Sequence, residues 1–345
     1  MSRFLDALAG KPTDVTPVWF MRQAGRYLPE YRAIREKHDF LTMVKTPDIA
    51  AEITLQPIRR FGLDAAVIYS DLLPPLQTMG LDLRFEKGIG PVIDNPIRST
   101  KAVDLLATPP AGETMTYTPE AIRMVKAELE PQGVPVLGFA GAPFTLAAYA
   151  IEGGGSKKYE RTRVFMYNEP AAWQRLMDKL VTVAGSFLTE QAKAGADALQ
   201  VFDSWAGALS RYDYERYAAP YTKKLIAIAQ RTGKPVVHFT TGTANHLDAI
   251  AAAGGDAIGV DSGPSLVEAA QRIALSRPGG LPLQGNLDPY LLQAPWRELK
   301  AQADRVLSEA PQTGYVFNTG HGLVPATPPD AVARLTDYVH EQTAR

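Results

Sequence analysis

VPVLGFAGAPFTLAAYAI, Val134 to Ile151, runs for 18 residues without a charge, and its reading decides what kind of protein this is. A charge-free apolar run of about 18 residues stands at the threshold for a membrane-spanning helix. Pro135 and Pro143, with Gly138 and Gly141 between them, break such a helix, because proline removes a backbone donor and glycine favours turns. The stretch reads instead as a strand buried on both faces, a turn and the start of a helix, with EGGG following at 152–155. It is the one segment of its kind in the chain, so no membrane span is expected. A buried strand passing straight into a helix is the building unit of an α/β protein.

Seven similar runs lie to either side. In chain order the eight are TPVWF (16–20), AAVIYS (65–70), VPVLGFA (134–140), DALQVF (197–202), PVVHFT (235–240), DAIGVD (256–261), LPLQGN (281–286) and GYVFNT (314–319). Most are continuously apolar rather than alternating, the pattern of parallel strands covered on both sides. Helical stretches separate most of them. Three have legible starts: Thr46-Pro47-Asp48, Thr118-Pro119-Glu120 and Thr327-Pro328-Pro329-Asp330. In each, Thr is expected at the N-cap and Pro at the first helical position. Eight strands alternating with helices predict an α/β fold, a single (β/α)8 TIM barrel over residues 1–345, with a doubly wound sheet as runner-up. LRFEKGIGPVIDNP (83–96) reads as an inserted hairpin between the second and third strands. No linker, low-complexity tract or internal repeat is visible.

The bulk composition is that of an ordinary globular chain: 345 residues, 46% hydrophobic and 21% charged. A formal net charge of −1 argues against general affinity for nucleic acid, so any basic site must be local. There is no cysteine, which removes disulfides, thiolate nucleophiles and thiolate metal sites. The opening MSRFLDALAGKP contains neither an apolar core nor an Arg/Ser-rich leader, and a cytoplasmic protein is expected. His238 and His246 are eight apart with no carboxylate placed to complete a site, so no metal is expected.

In a barrel the chemistry belongs at the C-terminal ends of the strands. The first run leads into Met21-Arg22-Gln23-Ala24-Gly25-Arg26, and the second ends in Ser70-Asp71. The third proceeds toward Tyr149, the fourth ends in Asp203-Ser204, the sixth in Asp261-Ser262, and the eighth gives Asn318-Thr319-Gly320-His321-Gly322. Arg22 and Arg26 suit carboxylate or phosphate, which guanidinium forks grip bidentately; Arg32 and Arg35 read as a solvated basic face. Asp71 is either a helix N-cap or a buried carboxylate aimed into the barrel. His321 is either structural or a ligand contact, with its flanking glycines letting the backbone approach a ligand. EGGGSKK (152–158) lacks the GxxxxGK[ST] spacing of a phosphate loop and reads as a surface loop or lid.

PVWFMRQAGRYLPEYR (17–32) and GFAGAPFTLAAYAIEG (138–153) resemble the two signature segments of the uroporphyrinogen decarboxylase family. YSDLL, QVFDSWAG and FNTGHG fall in the order that family shows, and the resemblance covers nearly the whole chain. It implies a (β/α)8 barrel, a homodimer, no metal and no organic cofactor. The implied substrate is uroporphyrinogen III, a tetrapyrrole with four acetates and four propionates. Residue by residue, the resemblance makes Arg22, Gln23, Ala24, Gly25 and Arg26 the substrate-binding loop. Asp71 becomes the central carboxylate, accepting from pyrrole N–H groups and stabilising a cationic intermediate. Tyr149 and Ser204 become polar substrate contacts, Phe202 a ring-packing residue, and His321 a contact near the substrate's edge. The implied proton donor is Arg22, with Tyr149 and His321 as rivals. Two other readings use the same features: a corrinoid-dependent methyltransferase, disfavoured by the missing cysteines, and a non-catalytic tetrapyrrole carrier.

Overall fold

The computed structural model describes residues 2–86 and 88–345. Its strands are β1 (Ala66–Val67), β2 (Leu83–Glu86), β3 (Gly90–Ile93), β4 (Val136–Gly141), β5 (Ala198–Asp203), β6 (Val236–Thr240), β7 (Ala257–Gly259), β8 (Leu283–Leu287) and β9 (Tyr315–Thr319). Seven of them form one sheet in the order β1-β4-β5-β6-β7-β8-β9, parallel throughout.

The eighth place belongs to residues 17–19. Val18 bridges Phe317 of β9 in parallel. The Phe317 amide donates to the Pro17 carbonyl at 2.9 Å, and on the other side the Asp64 amide donates to the Val18 carbonyl at 2.9 Å. No longer ladder forms there because Pro17 has no N–H and the Val18 N–H donates to Asp64 Oδ2 at 2.7 Å. All eight expected strand positions are thus occupied, and the barrel expectation prevails over the doubly wound sheet. Side chains from non-adjacent strands meet inside the curl. Trp19 Nε1 donates to Gln284 Oε1 at 3.0 Å, and Gln284 Nε2 donates to Gln200 Oε1 at 3.1 Å.

The charge-free stretch resolves as read, into the fully buried β4 and the helix Pro143–Glu152, with Pro143 in its first turn. No helix among the described residues is long and apolar enough to cross a membrane. The expected hairpin is β2 paired antiparallel with β3. The Thr-Pro starts need correcting. Only Thr46 stands at an N-cap, before the helix Pro47–Phe61, and its side chain makes no capping bond. Thr118 lies inside the helix Tyr117–Leu129, and Thr327 precedes the cap of Pro329–Thr343. Proline is tolerated anywhere in a first turn, where the N–H has no helical partner, so it leaves the start uncertain by two residues.

Candidate active site

The segment after Phe20 is a loop, not a helical turn, and buried polar bonds hold its shape. The Gln23 side chain accepts from the Phe20 amide at 3.0 Å and donates to the Ala65 carbonyl at 3.0 Å. Tyr27 Oη donates to the Gln23 carbonyl at 2.7 Å, and Asn318 Oδ1 accepts from the Met21 amide at 3.1 Å. Gln23 is therefore a buried brace under the loop rather than a side chain in the cleft. Pinned on both sides, Arg22 takes a left-handed backbone with φ of 62°, which costs an L-residue on the order of 1 kcal/mol.

Arg22 and Arg26 are exposed, while the arginine ion pairs of the described residues lie elsewhere, from Arg3 with Asp14 to Arg305 with Glu309. Arg32 is not merely a solvated face. Its Nη1 donates to the carbonyls of Arg26 and Tyr27 at 3.2 and 3.1 Å, buttressing the same loop. Arg35 likewise donates to the His38 carbonyl at 2.7 Å.

Asp71 is not an N-cap. The next helix, Pro74–Thr78, is preceded by Leu73, and Asp71 Oδ1 accepts from the Leu73 amide at 2.9 Å, an Asx-type turn. Its carboxyl is buried, although the residue as a whole keeps part of its surface exposed. Burial pushes its pKa up to about 6, against the Leu73 N–H and the Arg22 guanidinium, which hold it down. Tyr149 is raised to about 12, by burial first and the Asp71 charge second, with Arg22 opposing. His321 is lowered, by burial first and then by Arg22. Its Nδ1 accepts from the Gly322 amide at 2.8 Å, so the neutral ring carries its proton on Nε2. Arg22, Asp71, Tyr149 and His321 thus meet in one field.

The other expected residues sit in β5, just after it, and in the loop that follows Phe20. Phe202 lies edge-on between Phe139 and Phe239, at centroid distances of 5.5 and 5.7 Å. The Ser204 carbonyl accepts from Thr241 Oγ1 at 2.5 Å. Ala24 and Gly25 complete the loop, and a Cβ on Gly25 would stand 3.1 Å from the Arg22 carbonyl oxygen. The glycines around His321 serve the protein rather than a ligand's approach. A Cβ on Gly322 would lie 2.5 Å from Arg22 Cδ, and one on Gly320 would lie 2.2 Å from the Ser262 amide nitrogen.

Two supporting residues stood among the strand-end residues of the sequence without an assigned role. Asn318 holds the Met21 amide, as above. Asp203 is fully buried, with Thr145 Oγ1 and Thr222 Oγ1 donating to it at 3.3 and 3.4 Å. Thr145 in turn accepts from the Trp205 amide at 3.2 Å, so this carboxyl underlies the turn that presents Ser204. The signal was strand alternation: Phe202 faces the cleft, which sends Asp203 to the opposite face.

Burial raises the Asp203 pKa from 3.8 to about 7. The native state therefore holds that proton longer than the unfolded chain, and stability falls as pH rises between those two values. Asp203→Asn is expected to be unchanged in stability below pH ~4 and more stable by about 2–4 kcal/mol above pH ~7. Urea unfolding of both proteins at pH 5 and pH 8 tests this; a pH-independent difference would remove the assignment.

Comparison with known proteins decides the affiliation. The uroporphyrinogen decarboxylase (URO-D) family model matches residues 1–342. A protein named uroporphyrinogen decarboxylase from Roseiflexus sp. (strain RS-1) is 50% identical, with 99% of each chain covered. The chain belongs to the uroporphyrinogen decarboxylase family. Another of its members, from Solibacter usitatus (strain Ellin6076), is 49% identical, covering 99% of this chain and 97% of its own. Among solved structures, a methyltransferase from Methanosarcina mazei superposes with a TM-score of 0.81 at 20% identity, covering 99% of this chain and 97% of its own. At that identity the likeness is one of fold. Among the described residues no three His, Asp or Glu side chains are grouped to hold a metal ion.

Proposed function

We propose that this cleft converts the four acetates of uroporphyrinogen III to methyl groups, yielding coproporphyrinogen III, with Asp71 as its electrostatic centre. The observation that carries the reading is the pair of exposed arginines, Arg22 and Arg26, with the buried carboxyl of Asp71 within electrostatic reach of Arg22. A near-neutral chain must supply counter-charges for eight carboxylates locally, and the guanidinium fork does so while staying charged.

The chemistry follows from where charge develops. Protonation of a pyrrole carbon next to the acetate makes the ring cationic, and that ring accepts the electron pair of the breaking C–C bond. Carbon dioxide leaves, protonation of the exocyclic carbon gives the methyl group, and loss of the first proton from the ring carbon restores the neutral pyrrole. Asp71 faces the cation and accepts from pyrrole N–H groups, a fixed charge that needs no reorganisation. The ring is its own electron sink, so the scheme requires no added cofactor. Arg22 is the proposed proton donor. A guanidinium is a weak acid, so the scheme depends on Arg22 being held in place, for which its left-handed backbone and the Gly322 floor provide. The same reading takes the chain to be one domain, cytoplasmic and homodimeric.

The test is an anaerobic assay with uroporphyrinogen III, followed by counting the carboxylates on the oxidised products. Accumulation of the four-carboxylate product is expected, and Arg22→Lys should lose nearly all turnover while remaining folded. Near-normal turnover by that variant would remove Arg22 as donor. Tight binding with the eight-carboxylate species persisting would favour the carrier reading instead.

A further inference from the structure

EGGGSKK is absorbed by none of the roles above, yet the structure builds it into a wall. Its start is tied to the hairpin: Val92 bridges Gly154 and the Ile93 amide donates to the Gly153 carbonyl at 2.9 Å. Glu152 Oε1 accepts from both the Thr162 amide and its hydroxyl, at 2.9 and 2.8 Å. Ser156 Oγ accepts from the Tyr159 amide at 3.0 Å. Tyr159 then takes a left-handed backbone, φ 52°, a conformation sustained only where the surroundings impose it. The result is an aromatic row, Tyr159 against Trp205 at 5.5 Å and Trp205 against Tyr149 at 5.8 Å.

Beside this row lies a cleft of about 240 Å3, lined by Lys157, Tyr159, Ser204, Trp205, Thr241 and Gly242 among others. Two of its backbone donors are already engaged. The Gly242 amide donates to Asp261 Oδ2 at 2.5 Å, and the Gly207 amide to the Thr241 carbonyl at 3.1 Å. The Lys157 ammonium and the Ser204 hydroxyl remain for a ligand, one cationic and one neutral donor above an aromatic face. That combination suits an alkyl carboxylate attached to a flat ring.

We propose that Lys157, across the cleft from the already expected Ser204 contact, completes a carboxylate subsite that receives one peripheral acetate or propionate of the tetrapyrrole, with a pyrrole edge against Trp205. This rests on the decarboxylase reading. Lys157→Met is expected to raise KM for uroporphyrinogen III about tenfold with kcat within about twofold, and Lys157→Arg to restore most of the affinity. Lys158→Ala serves as the charge-matched control and should leave both constants unchanged. Repeating the measurement with the five-carboxylate porphyrinogen separates the two sources. An equal rise in KM assigns a propionate, and a rise confined to the eight-carboxylate substrate assigns an acetate; either supports the subsite. An unchanged KM in Lys157→Met, or an equal rise in Lys158→Ala, overturns it. Wild-type protein that fails to turn over uroporphyrinogen at all would instead sink the underlying reading.

Discussion

Asp71→Asn is expected to lower kcat about a thousandfold while leaving the fold intact. Asparagine preserves shape and an acceptor oxygen but removes the charge opposite the developing cation, and loss of one preorganised electrostatic partner commonly costs 10²–10³ in kcat. The pH profile gives a second signature. The working form is the carboxylate, and its pKa is pushed up to about 6, so kcat/KM of the wild type should rise with pH through about 6 and level off above it. Asp71→Asn should lose that limb. Stability should move the other way. A carboxyl raised from 3.8 to about 6 makes the native state hold its proton longer than the unfolded chain. The resulting cost is absent below pH ~4 and fully present above pH ~6, so the variant should gain about 1–3 kcal/mol near neutrality. Steady-state kinetics with urea unfolding across pH 4–8 checks both. A variant that is inactive but no more stable near neutrality would show that Asp71 is not the strained charge described here.

The second large effect comes from a residue with no chemistry of its own. Gly322→Ala is expected to reduce kcat/KM at least a hundredfold with little change in melting temperature. The added methyl would lie 2.5 Å from Arg22 Cδ and 2.7 Å from Arg22 Cγ, a contact relieved by swinging an exposed, flexible side chain out of place. Displacement of a positioned group by about 1 Å is enough for such a loss. Gly320→Ala, two residues earlier, makes the contrast. Its methyl would meet the Ser262 amide nitrogen at 2.2 Å and the Asp261 carbonyl carbon at 2.7 Å, backbone that cannot swing aside. That variant should lose stability as well as activity. Thermal melts and kinetics on the pair test this; a fully active Gly322→Ala would show that the Arg22 position is immaterial.

The site was legible where composition and order carry the chemistry. MRQAGR, YSD, QVFDS and TGHG place cations, a carboxylate and a histidine at strand ends, and the structure brings Asp71, Tyr149 and His321 within electrostatic reach of Arg22. What sequence misjudged was which side chain faces the cleft and which holds it up. Gln23 has the polarity of a ligand contact, but both ends of its amide are spent on backbone. Arg32 has the look of a solvated charge, but it clamps two carbonyls. Asp203 was named at a strand end but given no role, because nothing local reveals that two threonines, 58 and 19 residues away, enclose it.

The sequence by itself determined the eight strand positions, the inserted hairpin and the division of residues 134–151 into a strand and a helix. These depend on local patterns of apolar runs, prolines and glycines, whose periodicity acts within a few residues. Only the tertiary structure decided the left-handed turn at Arg22, the burial of the Asp71 carboxyl, and the packing of Gly322 against a side chain 300 residues distant in the chain. Those features follow from burial and from contacts between segments far apart in sequence. Desolvation and steric exclusion belong to the assembled fold, not to any stretch of it.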